Sequence, residues 1–117
     1  MNKEILVVCD HGISSNAVAK TLQAIFTEKG FEFDVKSRGV FARKPSATDL
    51  ENASVILTPF LPEELPKMKK AGLKPEYADA WDSFFKSVGE KAVQTYFDNE
   101  KNAFVNPEVL VKRITKA

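Results

Sequence analysis

Ile5-Leu6-Val7-Val8-Cys9-Asp10-His11-Gly12-Ile13-Ser14-Ser15-Asn16 is the stretch on which the fold of this chain turns. Four apolar residues in a row, with no alternation, suit a strand buried on both faces of a parallel sheet and therefore central in it. The run breaks at Cys9, turns through Gly12 and enters residues 14–29, where Val18, Leu22, Ile25 and Phe26 recur at helical spacing and Gly30 stands where a left-handed cap is usual. The order is strand, tight loop, helix start. Cys9 is the only cysteine of the chain. In such a loop its thiol faces backbone N–H groups and the positive end of a helix, which stabilise a thiolate and can hold a phosphate.

Working outward, Phe31, Phe33 and Val35 alternate with Glu32, Asp34 and Lys36, as in a strand with one wet face at a sheet edge, ending at residues 37–40. Residues 41–52 contain Pro45 and a Ser46/Asp49 pair that resembles a capping box, which predicts a loop with one short helical turn. Residues 53–58, carrying Val55-Ile56-Leu57 and closed by Pro59, read as a second buried strand. A polar helix follows over residues 61–71, with Pro66 near its first turn, Lys67, Lys69 and Lys70 on its wet face, and Gly72 at its end. Residues 74–78 are the candidate for a fourth strand. Asp82 is expected to cap a helix running to Phe97, with Phe85, Val88, Ala92 and Tyr96 on one face, and a last helix runs from Asn106-Pro107 to Ile114.

Strands alternating with helices imply right-handed crossovers and a parallel α/β sheet with helices on both faces. Ligands of such sheets lie beyond the carboxyl ends of the strands. Cys9, residues 37–39, residues 58–60 and residues 79–82 all fall at that edge in this reading. The chain's 117 residues suit one domain spanning 1–117. Seventeen basic and 16 acidic side chains leave a formal charge of +1, which gives no general attraction to nucleic acid or to an anionic membrane. The apolar run before Asp10 is too short for a secretory core or a membrane span, so the expected location is the cytoplasm. A single cysteine and a single histidine, His11, make neither an internal disulfide nor a metal site, and no cofactor is required.

Residues 7–19, from Val7-Val8-Cys9 through Asn16-Ala17-Val18-Ala19, resemble the phosphate-binding loop of the low-molecular-weight protein tyrosine phosphatases. Val35-Lys36-Ser37-Arg38-Gly39-Val40 is similar to that family's second strand and the Ser-x-Gly after it, and residues 47–57 to the segment leading into its third strand. The resemblance covers roughly the first seventy residues and fades from Gly72 onward. It implies an open four-stranded parallel sheet in the order 2-1-3-4. It also implies a phosphate or phosphorylated ligand held by Asp10, His11, Gly12, Ile13, Ser14 and Ser15, with Cys9 as the nucleophile. That family carries an arginine after five intervening residues, whose fork grips the phosphoryl group. Here the position is Ser15, a neutral hydroxyl, so the implied hydrolysis is weak or absent. Asp10 adds a negative charge beside the anion.

The spacing Cys-x-x-Gly-x-x-Ser-Asn also resembles the cytoplasmic IIB components of sugar phosphotransferase systems, in which the cysteine receives a phosphoryl group from a partner protein and no loop arginine is needed. A third reading is a non-enzymatic module that binds an anionic or phosphorylated partner. The phosphatase resemblance further implies an aspartic acid, in a loop after the fourth strand, to protonate the leaving oxygen. Asp79 takes that role in this reading, ahead of Asp82, which serves as a helix cap, although the family's Asp-Pro pair is missing. Other readings are plainer. Ser14, Ser15 and Asn16 are ordinary helix caps, His11 is a solvent-facing loop residue or else a ligand contact, and Arg38 is a surface residue unless it swings in to replace the missing guanidinium. Phe41, Phe60 and Trp81 pack at the core or rim of the site.

Overall fold

The computed structural model describes residues 3–116. Strand β1 (Lys3–Cys9) occupies the centre of a four-stranded sheet, with β2 (Phe33–Gly39) on one side and β3 (Ala53–Thr58) on the other, and β4 (Val93–Thr95) outside β3. All pairings in this sheet are parallel, and the order is 2-1-3-4.

Side chains of a strand alternate between faces, and each face of β1 has its own cover. Ile5 and Val7 point to the side of α1 (Ser14–Glu28) and α5 (Pro107–Thr115), where Leu22, Phe26, Leu110 and Ile114 pack fully buried. Leu6 and Val8 point to the other side. There they meet Leu65 of α3 (Leu65–Lys70) and Trp81, Phe84 and Val88 of α4 (Pro75–Val88), with Leu50 of α2 (Ala47–Asn52) at the margin. Each such large side chain taken out of water contributes roughly 1.5–3 kcal/mol, so a continuous apolar run in the central strand anchors both layers at once.

Several local readings hold residue by residue. β3 spans the expected residues, β2 is an edge strand, α1 ends before Gly30 at a φ of 82°, and Ser46 and Asp49 form a reciprocal capping box at the start of α2. The stretch after Gly72 differs. Residues 74–78 are not a strand: Pro75 occupies the first turn of α4, where its fixed φ and missing N–H cost nothing, and Ala78, Trp81, Phe84 and Val88 form the buried stripe. Asp82 therefore lies inside a helix instead of capping one. The helix stops at Gly89, with φ 65°, and does not run on to Phe97. The fourth strand is the three-residue Val93–Thr95, and a small antiparallel hairpin, β5 (Phe97–Asp98) with β6 (Ala103–Phe104), precedes α5. Residues 61–71 form a 3-10 turn, Pro62–Glu64, followed by α3. No helix among the described residues is long and apolar enough to cross a membrane.

Candidate functional site

Cys9 is the last residue of β1, on the Ile5/Val7 side, so its sulfur lies beneath the first turn of α1. The backbone N–H of Gly12 donates to Sγ at 3.0 Å, and that of Ser15 at 3.4 Å. A helix leaves its first N–H groups without intrahelical partners, and here the sulfur takes one of them. The residue before the helix, Ile13, has no side chain able to cap it, so Ser14 and Ser15 lie within the helix and are not its caps. In the thiol form Cys9 donates to the Ser15 hydroxyl at 3.2 Å, which in turn donates to the Arg38 carbonyl at 3.2 Å. Burial raises the Cys9 pKa. Hydrogen bonds from the Ser14 and Ser15 hydroxyls and from the Ser15 and Gly12 N–H groups outweigh it and hold the thiol below its ordinary value.

The loop is shaped by two glycines. Gly12 adopts φ 78°, a left-handed conformation that side chains resist. Gly39 pairs with Cys9 across β1 and β2, and a Cβ there would stand 2.7 Å from the Asp10 carbonyl oxygen, 2.8 Å from the Gly12 nitrogen and closer still to the Ala42 carbonyl oxygen. The chain after β2 is laced to the loop by Val40 N–H to Cys9 O and Phe41 N–H to Asp10 O, both at 2.9 Å. On the far side, Thr58 and Thr95, paired in register, each turn the chain with a hydroxyl that donates to the carbonyl two residues on, at 2.7 and 2.6 Å. Asn99 Nδ2 then donates to the Pro59 carbonyl at 3.0 Å. These ties deliver Pro59 and Tyr96 to the cavity over Cys9, about 300 Å³ in volume, whose other walls are Asp10, His11, Ile13 and Ser14.

The structure thus gathers the loop residues of the sequence reading around Cys9, with three corrections. Asp79 is exposed on α4 and lines a separate cavity with Val40, Lys44, Pro45 and Leu50, because α4 precedes the fourth strand instead of following it. It is not brought to Cys9. Asp82 pairs instead with Lys86 one helical turn on, at 2.9 Å. His11 is half-buried, with Nε2 3.0 Å from the Tyr77 hydroxyl and its ring edge-on to Phe41 and Tyr77, so it is a packed residue and not a solvent-facing one.

Arg38 does not swing into the site. Its Nε donates to Asp49 Oδ2 at 3.0 Å and its Nη1 to the Ser37 carbonyl at 2.7 Å. Phe60 and Trp81 pack together in the core with ring centres 4.9 Å apart, and Phe41 stays on the rim, 45 % exposed. The carboxylate that lines the cavity with Cys9 is that of Asp10, whose Oδ1 accepts from Trp81 Nε1 at 2.7 Å.

Two residues of the site were not evident from the sequence. Tyr96 follows a strand too short to show periodicity, and Tyr77 reaches His11 only through the placement of α4. The arrangement can hold a thiolate, present neutral donors to an oxyanion, and confine the ligand against Tyr96 and Pro59. No protein-family model and no curated protein matches the chain.

Proposed function

We propose that the Cys9 loop is an oxyanion site of the low-molecular-weight phosphatase kind, acting in the cytoplasm on a phosphorylated ligand, with slow hydrolysis. The observation that carries this reading is a lowered-pKa thiol receiving two loop N–H groups, at 3.0 and 3.4 Å, at the floor of a cavity whose side-chain lining includes no arginine or lysine. In the reaction, the Cys9 thiolate attacks phosphorus, an S–P bond forms, and the P–O bond to the leaving group breaks as that oxygen takes up a proton from water. Water then cleaves the S–P bond and releases phosphate. Loss of one charged transition-state stabiliser costs on the order of a hundredfold or more in rate. Asp79, in its separate cavity, has no part in the step.

A second reading is favoured by that same lack of a cation: Cys9 carries a phosphoryl group received from a protein donor and passes it on, as in IIB components. Hydrolysis of a small aryl phosphate by wild type, C9S and S15R, with inorganic phosphate binding in parallel and melting curves to confirm folding, separates the readings. Slow turnover that C9S abolishes and S15R raises is the expected result. Turnover that survives C9S overturns the proposal. Phosphate binding with no turnover in any variant transfers the assignment to phosphoryl transfer when a donor protein labels Cys9. It transfers the assignment to a non-enzymatic anion-binding module when no label appears and C9S binds as wild type does.

A further inference from the structure

An oxyanion held over Cys9 meets the Asp10 carboxylate and no lysine or arginine of the cavity's lining: Arg38 is engaged by Asp49 and the Ser37 carbonyl, and Arg43, whose Cδ lies beside Gly12, is not among the lining residues. Among the side chains of that lining, Ser14 and Tyr96 offer the oxyanion neutral hydroxyl donors. One wall of the cavity is Tyr96, the residue after β4, only 3 % exposed. Three attachments hold it. Its N–H donates to the Thr58 carbonyl at 3.0 Å, its carbonyl accepts from Val105 N–H at 2.9 Å, and its ring stacks on Phe104 with 6.2 Å between centres and 12° between planes. Ser14, whose hydroxyl favours the Cys9 thiolate, lines the same cavity as Tyr96.

We propose that Tyr96 is a ligand-binding residue of this site, its phenol donating a hydrogen bond to the oxyanion over Cys9 and supplying part of what the family's arginine supplies elsewhere. The inference rests on the oxyanion-site reading above. Burial pushes the phenol's pKa far up, against the opposing pull of the Ser14 hydroxyl and with the smaller help of the Cys9 and Asp10 charges, so the group keeps its proton wherever the thiolate exists. A donor fixed before the ligand arrives needs no reorganisation when charge appears beside it, which is where neutral dipoles are most effective. Tyr96 follows the fourth strand and opens the turn into β5 and β6. Asp98, the carboxylate of that turn, accepts from the N–H groups of Glu100 and Lys101 at 3.0 and 3.1 Å.

The test is inorganic phosphate binding to wild type and Y96F by calorimetry, at several pH values, with carbon-13 NMR of the two tyrosine ring ζ carbons in the wild type. Y96F is expected to bind roughly tenfold to a hundredfold more weakly, the usual worth of a hydrogen bond to a charged group, with an unchanged melting temperature. The ratio stays constant between about pH 6 and 8, because a phenol of raised pKa does not titrate there. The Tyr96 resonance of the wild type moves with the same midpoint as binding. Equal affinities of wild type and Y96F overturn the role of Tyr96 and leave the Cys9 reading standing. No phosphate binding by wild type at millimolar concentration overturns both. Should Y96F fail to fold, a Tyr96 resonance that stays still while wild type saturates overturns the proposal on its own.

Discussion

Trp81 Nε1 donates to Asp10 Oδ1 at 2.7 Å, which fastens the middle of α4 to the loop carrying Cys9 across 71 residues of chain. The indole is fully buried among Phe60, Phe84 and Phe85, so the contact joins the core layer beneath the sheet to the site above its edge. It also fixes one oxygen of a carboxylate that borders the proposed anion. W81F removes the donor and leaves a void, and is expected to cost about 2–4 kcal/mol. D10N keeps an acceptor for the indole and is expected to cost less than about 1 kcal/mol. Urea unfolding of both variants is the check, and equal losses would show that the hydrogen bond is not what holds the loop.

Alkylation of Cys9 by iodoacetamide is expected to reach half its maximal rate below the ordinary thiol range. S15A moves that midpoint upward, because it removes a hydroxyl that favours the thiolate. The sign for stability follows from proton linkage. A thiol whose folded pKa is lowered stabilises the fold fully above the unfolded thiol pKa and loses that contribution as pH falls through its folded value. Stability of wild type therefore rises relative to C9S between those two values as pH increases. A rate profile that titrates at or above the ordinary thiol range contradicts the thiolate cradle.

Gly39 is the tightest position in the loop. A methyl group there meets the Ala42 and Asp10 carbonyl oxygens and the Gly12 nitrogen, all of them backbone atoms that cannot rotate away. G39A is expected to destabilise by about 3 kcal/mol, at the upper end of overpacking costs, and to abolish phosphate binding by displacing Gly12. G72A, at an open surface position where nothing lies within 4 Å, pays only for its φ of 108° and leaves binding unchanged. Thermal melts with phosphate titration compare the two.

Asp49 joins the capping box of α2 to Arg38, accepting from Ser46 N–H at 2.9 Å and Arg38 Nε at 3.0 Å. Burial raises its pKa, but these bonds from Ser46 and Arg38 prevail and hold it below the ordinary carboxylate value. Its contribution is fully present above the unfolded pKa and is lost as pH falls through the lower folded one, that is, below about pH 4. D49N is expected to lose about 1–2 kcal/mol at neutral pH and to show a flatter acid limb than wild type. Unfolding free energies measured down the acid range test this, and parallel limbs in the two proteins would exclude Asp49 as a source of the pH dependence.

The legible parts of the sequence are those in which local chemistry and tertiary role agree. Ile5 to Val8 have no polar face to offer, so a strand made of them has to be covered on both sides. Ser46 and Asp49 satisfy each other's backbone groups in the chain itself, without help from the rest of the fold. The region after Gly72 misleads because β4 is three residues long, and its place beside β3 is secured by pairing with Ile56, Leu57 and Thr58 instead of by any pattern of its own. The helix before it carries an outward sign, Pro75 at its start, but the strand does not.

The same division runs through the site. Cys9, Gly12 and the serines are neighbours in sequence, and a strand that ends at a helix start obliges them to share one loop, so the sequence alone determined the sulfur, its N–H donors and the lack of an arginine. Tyr96, Trp81 and Tyr77 come from 66 to 87 residues away, and only the stacking of β4 on β3 and of α4 beneath the sheet decides that they face this loop. Asp79 shows the converse. Its chemistry and approximate position fit an acid, yet a helix turns it toward another cavity, because the helix must bury Ala78 and Trp81 and Asp79, next to Ala78, stays outside.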